Sequence, residues 1–485
     1  MMQSTNQQCN AFQGLVGIFL QSCGAPETVR ELLAHMGVSI SMTAINQSIT
    51  NLAKEAENQI RRTGQGLLTS YAFDNLDIDL KHGTPTLERS HDTLVHLTTA
   101  TMICLNHGVK LDDLECGKEV WEKLTNNCDT GQARPEIPLE ELINMYREEP
   151  QVMHPSKLYS RQQRFRWWKF LHDLIEYGPE YFRQFRGKLD KPEQVHAIPV
   201  SRTTQVPMRA MDIKPSTPSQ IGDVISALSD QSGVGDSEID PQKRDLGNHV
   251  WLVFGDLLTG QHLRSLMESR SEEGTPWRRL QFAVFVMGLF HLKMACADAI
   301  WRLFIYPKTA KNDNNALLNF VGQIRPKETG KIESKPGFRQ MHEVTQHVGI
   351  VLRLDAWRIA TAKHINRKID TLQDYANMKP TWEEVMSLAA FVCEESTATT
   401  HLLSEERNKA DKSRDQQYEN TLIMHSYLLL YEEVSHGLNY GNIRHVESLF
   451  LQWIWIFQSC GKHKYAAEMK RHLENMHSIY PDGLR

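Results

Sequence analysis

Four aspartates stand where chemistry is easiest to imagine. Asp74, Asp77 and Asp79 fall within six residues of one another in TSYAFDNLDIDL, residues 69–80, and Asp256 follows the apolar run from Val250 to Phe254 after a single glycine. Carboxylates carried on neighbouring strands suit two-metal phosphoryl transfer. They hold two Mg²⁺ ions roughly 3.5–4 Å apart, so that the pair clamps the attacking and leaving oxygens. A third acid, usually from a later helix, completes such a site, and Glu432, Glu433 and Glu447 are the candidates. Crowded carboxylates also raise one another's ionisation cost unless a cation or solvent compensates. Asp74 therefore reads either as a metal ligand or as part of an acidic, solvated strand end. Other chemistries lack their motifs: no G-x-S-x-G elbow, no G-x-G-x-x-G, and no upstream glycine or following Ser or Thr around Gly330 and Lys331 for a P-loop.

The elements that would position these acids can be read from periodicity. Val250 to Phe254 and Phe282 to Met287 are short apolar runs closed by glycine, which read as strands buried on both faces. His262 to Arg270 looks helical between them, so a crossover could make the strands parallel and leave Asp256 at the carboxyl end of a central one. Thr69 to Leu80 and His91 to Cys104 are two further strands, the second rich in β-branched residues. His196 to Val200 and Thr204 to Ile213 look like a strand pair, and Ser229 to Gly247 like a polar loop, either mobile or a lid beside Asp256. A helix from Phe290 to Phe304 opens near His291, whose role is either structural or functional. Thr28 to Met36, a break at Gly37, and a helix capped by Ser41 and running to about Arg62 trace a helical hairpin. A helix-turn-helix is the weaker reading, because the second helix lacks a basic face. Helices dominate after Tyr306, over Met341 to Met386, Ala389 to Leu403, Leu422 to His436, Ile443 to Gln458 and Tyr465 to His477, with a charged, exposed stretch over Ser404 to Asn420.

From Lys157 to Lys214 there are 12 Lys and Arg against 6 Asp and Glu, with aromatic residues interleaved. Arg161, Arg164, Arg166, Trp167, Trp168, Lys169, Arg183 and Arg186 thus form a candidate nucleic-acid surface, cations for phosphates and rings for bases. The same aromatics fall at helical spacing, so a packed helix with a solvated basic edge competes with that reading. The chain as a whole carries a net charge of −5, which excludes a uniformly basic nucleic-acid binder. With 485 residues, two to four structural units are expected. Eight cysteines without a C-x-x-C pair point to reduced thiols in an intracellular protein, and the most apolar window, Phe282 to Tyr306, holds too many charges to span a membrane.

The stretches YAFDNLDIDL, FGDLLTG, TPWRRLQFAVFVMGLFHLKMACADAIWR, IRPKETGKIESKPGFRQMHEVTQHVGIVLRLDAWR and FQSCGKHKYAAEM resemble a fungal family known only as domain of unknown function 6589, over about Asn10 to Arg485. Its members resemble products of mobile elements, in a motif order similar to RNase H-like transposases with a helical insertion before the last acid. The resemblance implies an α/β, predominantly helical fold whose RNase H-like mixed sheet core carries large helical insertions. It places an N-terminal helical region at 1–65, the sheet core at 66–305 with an insertion at about 110–194, a second insertion at 306–420, and truncated C-terminal helices at 421–485. It also implies a transposase-like or transposase-derived protein, with Mg²⁺ on Asp74 and Asp256, one of Glu432, Glu433 and Glu447 as third ligand, and His291 orienting a phosphate. DNA is the implied partner, with a homo-oligomer as a compatible state and a nuclear location. The alternative is a non-catalytic descendant that binds DNA or protein through the basic aromatic region. His425 and Asn442 stand where the resemblance expects acids.

Overall fold

Alternation of apolar and polar residues over 69–80 is the pattern of a strand with one face in a core, and the chain builds a sheet around it. The computed structural model describes residues 10–80, 93–124, 137–147, 153–154, 157–158, 160–365, 369–398 and 400–485. Its principal elements are, in chain order, α1 (Ala11–Ser22), α2 (Glu27–His35), α3 (Met42–Gly64), β1 (Thr69–Leu80), β2 (Thr93–Cys104), α4 (Arg161–Tyr177), β3 (Gln205–Pro207), α5 (Pro218–Ser232), β4 (Trp251–Gly255), α6 (Leu257–Ser269), β5 (Ala283–Met287), α7 (Leu289–Phe304), α8 (Phe338–His364), α9 (Trp382–Ser396), α10 (Gln416–Asn439), α11 (Ile443–Ser459) and α12 (His463–Glu474). The fold is α/β and mostly helical. It divides into two compact units, one drawn from Met1–Gln132, Arg202–Val286 and Pro481–Leu484, the other from Ala133–Ser201, Met287–Tyr480 and Arg485.

The first unit holds a five-stranded mixed sheet in the order β3-β2-β1-β4-β5. β1 and β2 are antiparallel from Thr69 opposite Cys104 to Leu80 opposite Thr93, β2 and β3 are antiparallel, and β1 runs parallel to β4 with Tyr71 beside Val253 and Ala72 beside Phe254. Tyr71, Phe73, Ala100, Met102, Trp251 and Val253 share one face, where they pack with Ile60 of α3, Ile221, Val224, Ile225 and Leu228 of α5, and Leu263 and Leu266 of α6. Tyr71 and Trp251 meet with ring centroids 4.5 Å apart. The N-terminal helices follow their sequence signals: Gly37 takes φ 71°, and the Ser41 hydroxyl accepts the Ala44 N–H at 3.3 Å to start α3. Where α3 ends, Gly64 lies so close to Ser232 that a Cβ there would stand 2.7 Å from its carbonyl oxygen.

Two expectations fail in this unit. The segments at His196 to Val200 and Thr204 to Ile213 do not pair with each other: Gln205–Pro207 joins β2, while Ala197 bridges to Asn442 in the second unit's own turn. Ser229 to Gly247 is neither a free loop nor a lid. Its first residues finish α5, and Val234–Gly235 pairs in parallel with Arg244–Asp245. Polar residues at the end of α5 hide a helix that Thr217 caps, Pro218 opens, Ile221, Val224, Ile225 and Leu228 anchor, and Gly233 closes with φ 64°.

The second unit is helical. Phe170, Leu174, Phe182, Trp357, Tyr375, Val385, Ala389 and Leu429 share its core. α10 is buried on nearly every side, from Leu422 through Gly437, which marks it as the central helix of the unit. The stretch between Met341 and Met386 is not one helix: α8 stops at His364, Leu372–Asn377 makes a short helix, and α9 starts behind the Thr381 cap. Nor is all of Ser404 to Asn420 exposed, because Glu419 is buried beside Arg414 and Arg407. Among the described residues no helix is long and apolar enough to cross a membrane. Six cysteines, Cys23, Cys104, Cys116, Cys296, Cys393 and Cys460, are free thiols, while Cys9 and Cys128 lie outside the described residues.

Candidate metal centre and basic aromatic cavity

Strand pleating separates the acids that the sequence crowds together. Residues two apart share a face, so Asp77 and Asp79 lie on the side of Tyr71 and Phe73, whereas Asp74 lies on the side of Ala72. Asp77 is opposite His96 in the β1–β2 register, and its Oδ1 is 2.7 Å from the ring Nδ1. Asp74 is exposed. Its Oδ1 accepts the N–H of Asn75 at 2.8 Å.

Asp256 ends β4 and begins α6. Its Oδ1 accepts the Thr259 N–H at 2.7 Å, so the carboxylate caps the helix while remaining half-buried at the carboxyl end of the strand. The parallel register puts Ala72 beside Phe254; Asp74 comes two residues after Ala72 in β1, and Asp256 two residues after Phe254, one position past the end of β4. Adjacent strands lie roughly 4.8 Å apart. Each carboxylate keeps an oxygen beyond the one already engaged, and neither enters an ion pair among the described residues. Two carboxylates of this kind fit Mg²⁺, which takes one or two protein carboxylates and completes its shell with water and phosphate oxygens. Among the described residues there is no cluster of three or more His, Cys, Asp or Glu side chains placed to hold a metal.

The remaining candidates belong to the second unit, and each has neighbours there. Glu432 accepts both oxygens' worth of hydrogen bonds from Arg353 Nη2, at 2.9 Å each, and Lys169 Nζ is 3.1 Å away. Arg353 also donates from Nε to Asp173 at 2.6 Å, and Lys169 donates to the same carboxylate at 2.7 Å. Arg353 and Lys169 hold Asp173 well below the usual carboxylate range against the opposing effect of burial. Glu433 is fully buried, with Gln162 donating at 3.3 Å and His445 Nε2 at 2.9 Å from its other oxygen. Glu447 lies 2.8 Å from His472 and 3.6 Å from Arg444. His291, in the first turn of α7, lines a cavity of about 320 Å³ with Phe338, Met341, Lys462 and Tyr465.

The basic aromatic residues divide in the structure. Arg161, Arg164, Arg166, Trp167 and Trp168 line a cavity of about 1320 Å³ in the second unit. Lys169 turns instead into the buried ion-pair network, Arg186 is held by Glu176 at 2.6 Å, and Arg183 lies 3.9 Å from Glu180. Trp382, Phe391, His436 and His445 also line the cavity. Sequence reasoning passed over them because they lie more than 190 residues from Arg161 and no local pattern joins them.

A family of unknown function, DUF6589, matches residues 141–485. That span holds Asp256, His291, the three glutamates and the basic aromatic residues, and it begins after Asp74. No curated protein matches the chain. No solved structure matches it either.

Proposed function

We propose, for a chain that belongs to the family of unknown function DUF6589, a transposase-like role: Mg²⁺-dependent cleavage or strand transfer on DNA by an RNase H-like core. The strand order supports the core. Its third, second, first, fourth and fifth strands lie side by side in that sequence, with antiparallel pairing among the first three and parallel pairing of first with fourth, which is the arrangement expected of an RNase H-like sheet. The observation that supports the activity is the register that pairs Ala72 with Phe254, each two residues before one of the two acids.

Asp74 and Asp256 would hold the metal, which when bound would supply charge stabilisation at the attacking and leaving phosphate oxygens. The chain's own contribution is placement. β1 offers Asp74 from a rigid strand, and the cap on α6 fixes the rotation of the Asp256 carboxylate.

The test is nicking or joining of duplex DNA with Mg²⁺. Asp74→Asn and Asp256→Asn should each abolish the reaction by at least a hundredfold while DNA binding persists; Asn is chosen at 256 because it retains the helix cap. A wild-type chain with no Mg²⁺-dependent cleavage on any duplex would refute the reading.

A further inference from the structure

We infer that the cavity of the helical unit is a nucleotide site: it takes a base against its aromatic rings and a phosphate on Arg166, Arg161 and Arg164. About 1320 Å³ is more than the roughly 300–1,000 Å³ of most small-ligand pockets, so a whole nucleotide fits with room to spare. The aromatic wall is built from within. Trp168 packs on Phe165 at 5.6 Å and on His436 at 5.3 Å, and His436 stacks on Tyr440 at 4.4 Å with planes 29° apart. These contacts fix the ring orientations, which is what lets a base stack without first ordering the side chains.

Two features point to an anion. The buried Nε of Arg166 has no hydrogen-bond partner, and no carboxylate pairs with Arg166 among the described residues. A buried guanidinium N–H left unmade is costly, and a phosphate oxygen would satisfy it. The neighbouring pair already holds an oxyanion: Glu193 is hydrogen-bonded by Arg164, and Arg161 Nε lies 4.0 Å from the same oxygen. That carboxylate marks where a phosphate would sit. Its position is fixed by Asn442, a buried residue that accepts the Val195 N–H at 2.7 Å and donates to the Glu193 carbonyl at 3.0 Å. Glu193 is thus a built-in competitor on a pinned strap, and the ligand must displace it. Asp190 and Glu394 also line the cavity, against Lys188 and Lys191.

This site uses neither Asp74 nor Asp256, so it stands or falls apart from the metal-dependent reading. The same chemistry is presented by a free nucleotide and by an unpaired nucleotide in a strand, and the two are separated by titration. Full-length protein is titrated with ATP and, separately, with a ten-nucleotide single strand, followed by tryptophan fluorescence and by calorimetry. Wild type should bind at least one of them. Arg166→Ala should weaken that binding at least tenfold, Glu193→Gln should tighten it three- to tenfold, and Glu31→Gln, at an exposed position of α2, should leave it unchanged. Response to ATP identifies a free nucleotide as sufficient; response to the strand alone assigns the site to polymer. Absence of binding by both ligands, or an affinity that Glu193→Gln fails to raise in a protein with wild-type circular dichroism, overturns the inference. The Glu193 variant keeps the test decisive should Arg166→Ala misfold.

Discussion

Asp256 caps α6, and the metal-binding role proposed for it can be separated from that cap because the two use different properties of one carboxylate. Capping α6 requires an acceptor oxygen, which asparagine also offers, while metal binding requires charge. Buried histidines give a second residue-scale consequence. His425 is pushed down to about 3 by burial and then by the positive charge of Arg353, and its Nδ1 donates to the Ser396 carbonyl at 3.0 Å while Nε2 has no partner. His436 is pushed down to about 4 by burial and then by His445. Both remain neutral in the fold but take a proton in the unfolded chain near the ordinary value of 6.5. The unfolded state therefore binds more protons below that value, and stability must fall as pH falls. Between roughly pH 6 and 4 the buried His425 should cost up to about 1.4 kcal/mol per pH unit, and the partly exposed His436 less because solvent screens it. Urea unfolding across that range checks it, and His425→Gln should flatten the slope.

At the scale of elements, three helices of the second unit are joined by buried charge. Arg353 of α8 bonds Asp173 of α4 and Glu432 of α10, with all three side chains essentially removed from solvent. The close approach depends on Gly349, one turn earlier on α8, where a Cβ would stand 2.3 Å from the Glu432 carboxylate. Removing one member leaves the others unpaired, which costs about 3–5 kcal/mol. Arg353→Met should lower urea-unfolding stability by that amount, and a triple replacement of Arg353, Asp173 and Glu432 by apolar residues should recover much of the loss. This network also bears on Glu432 as a metal ligand, since its two oxygens already take hydrogen bonds from Arg353.

Over the whole molecule, charge is distributed against the average: the net value is −5, yet the cations nearest the aromatic cavity outnumber the acids there. Binding of a single strand should therefore be steeply salt-dependent, since each neutralised phosphate contributes a slope of about −0.7 to log K against log salt. The lining cations Arg161, Arg164, Arg166, Lys188 and Lys191 allow a limit of about −3.5 on that scale. Fluorescence anisotropy over about 50–200 mM salt measures it, and a flat response would rule out phosphate contact. Strand and helix identity were legible in the chain because they rest on local periodicity and caps: β1, the run before Asp256, the Ser41 cap and the long apolar helix α11 all follow from spacing alone. The acids were legible as types. The pairing of Asp74 with Asp256 came from the resemblance; local pattern could not show that β1 pairs with β4, because that pairing joins residues about 180 apart and is decided by which faces bury Tyr71 and Trp251 together. Likewise the sequence showed basic and aromatic residues interleaved on α4, but only the packing of α4 with α9, α10 and α11 determined which of them line a cavity and which, like Lys169, are consumed by buried carboxylates. Local pattern fixes what each segment becomes; long-range burial, which no single stretch contains, selects the partners it meets.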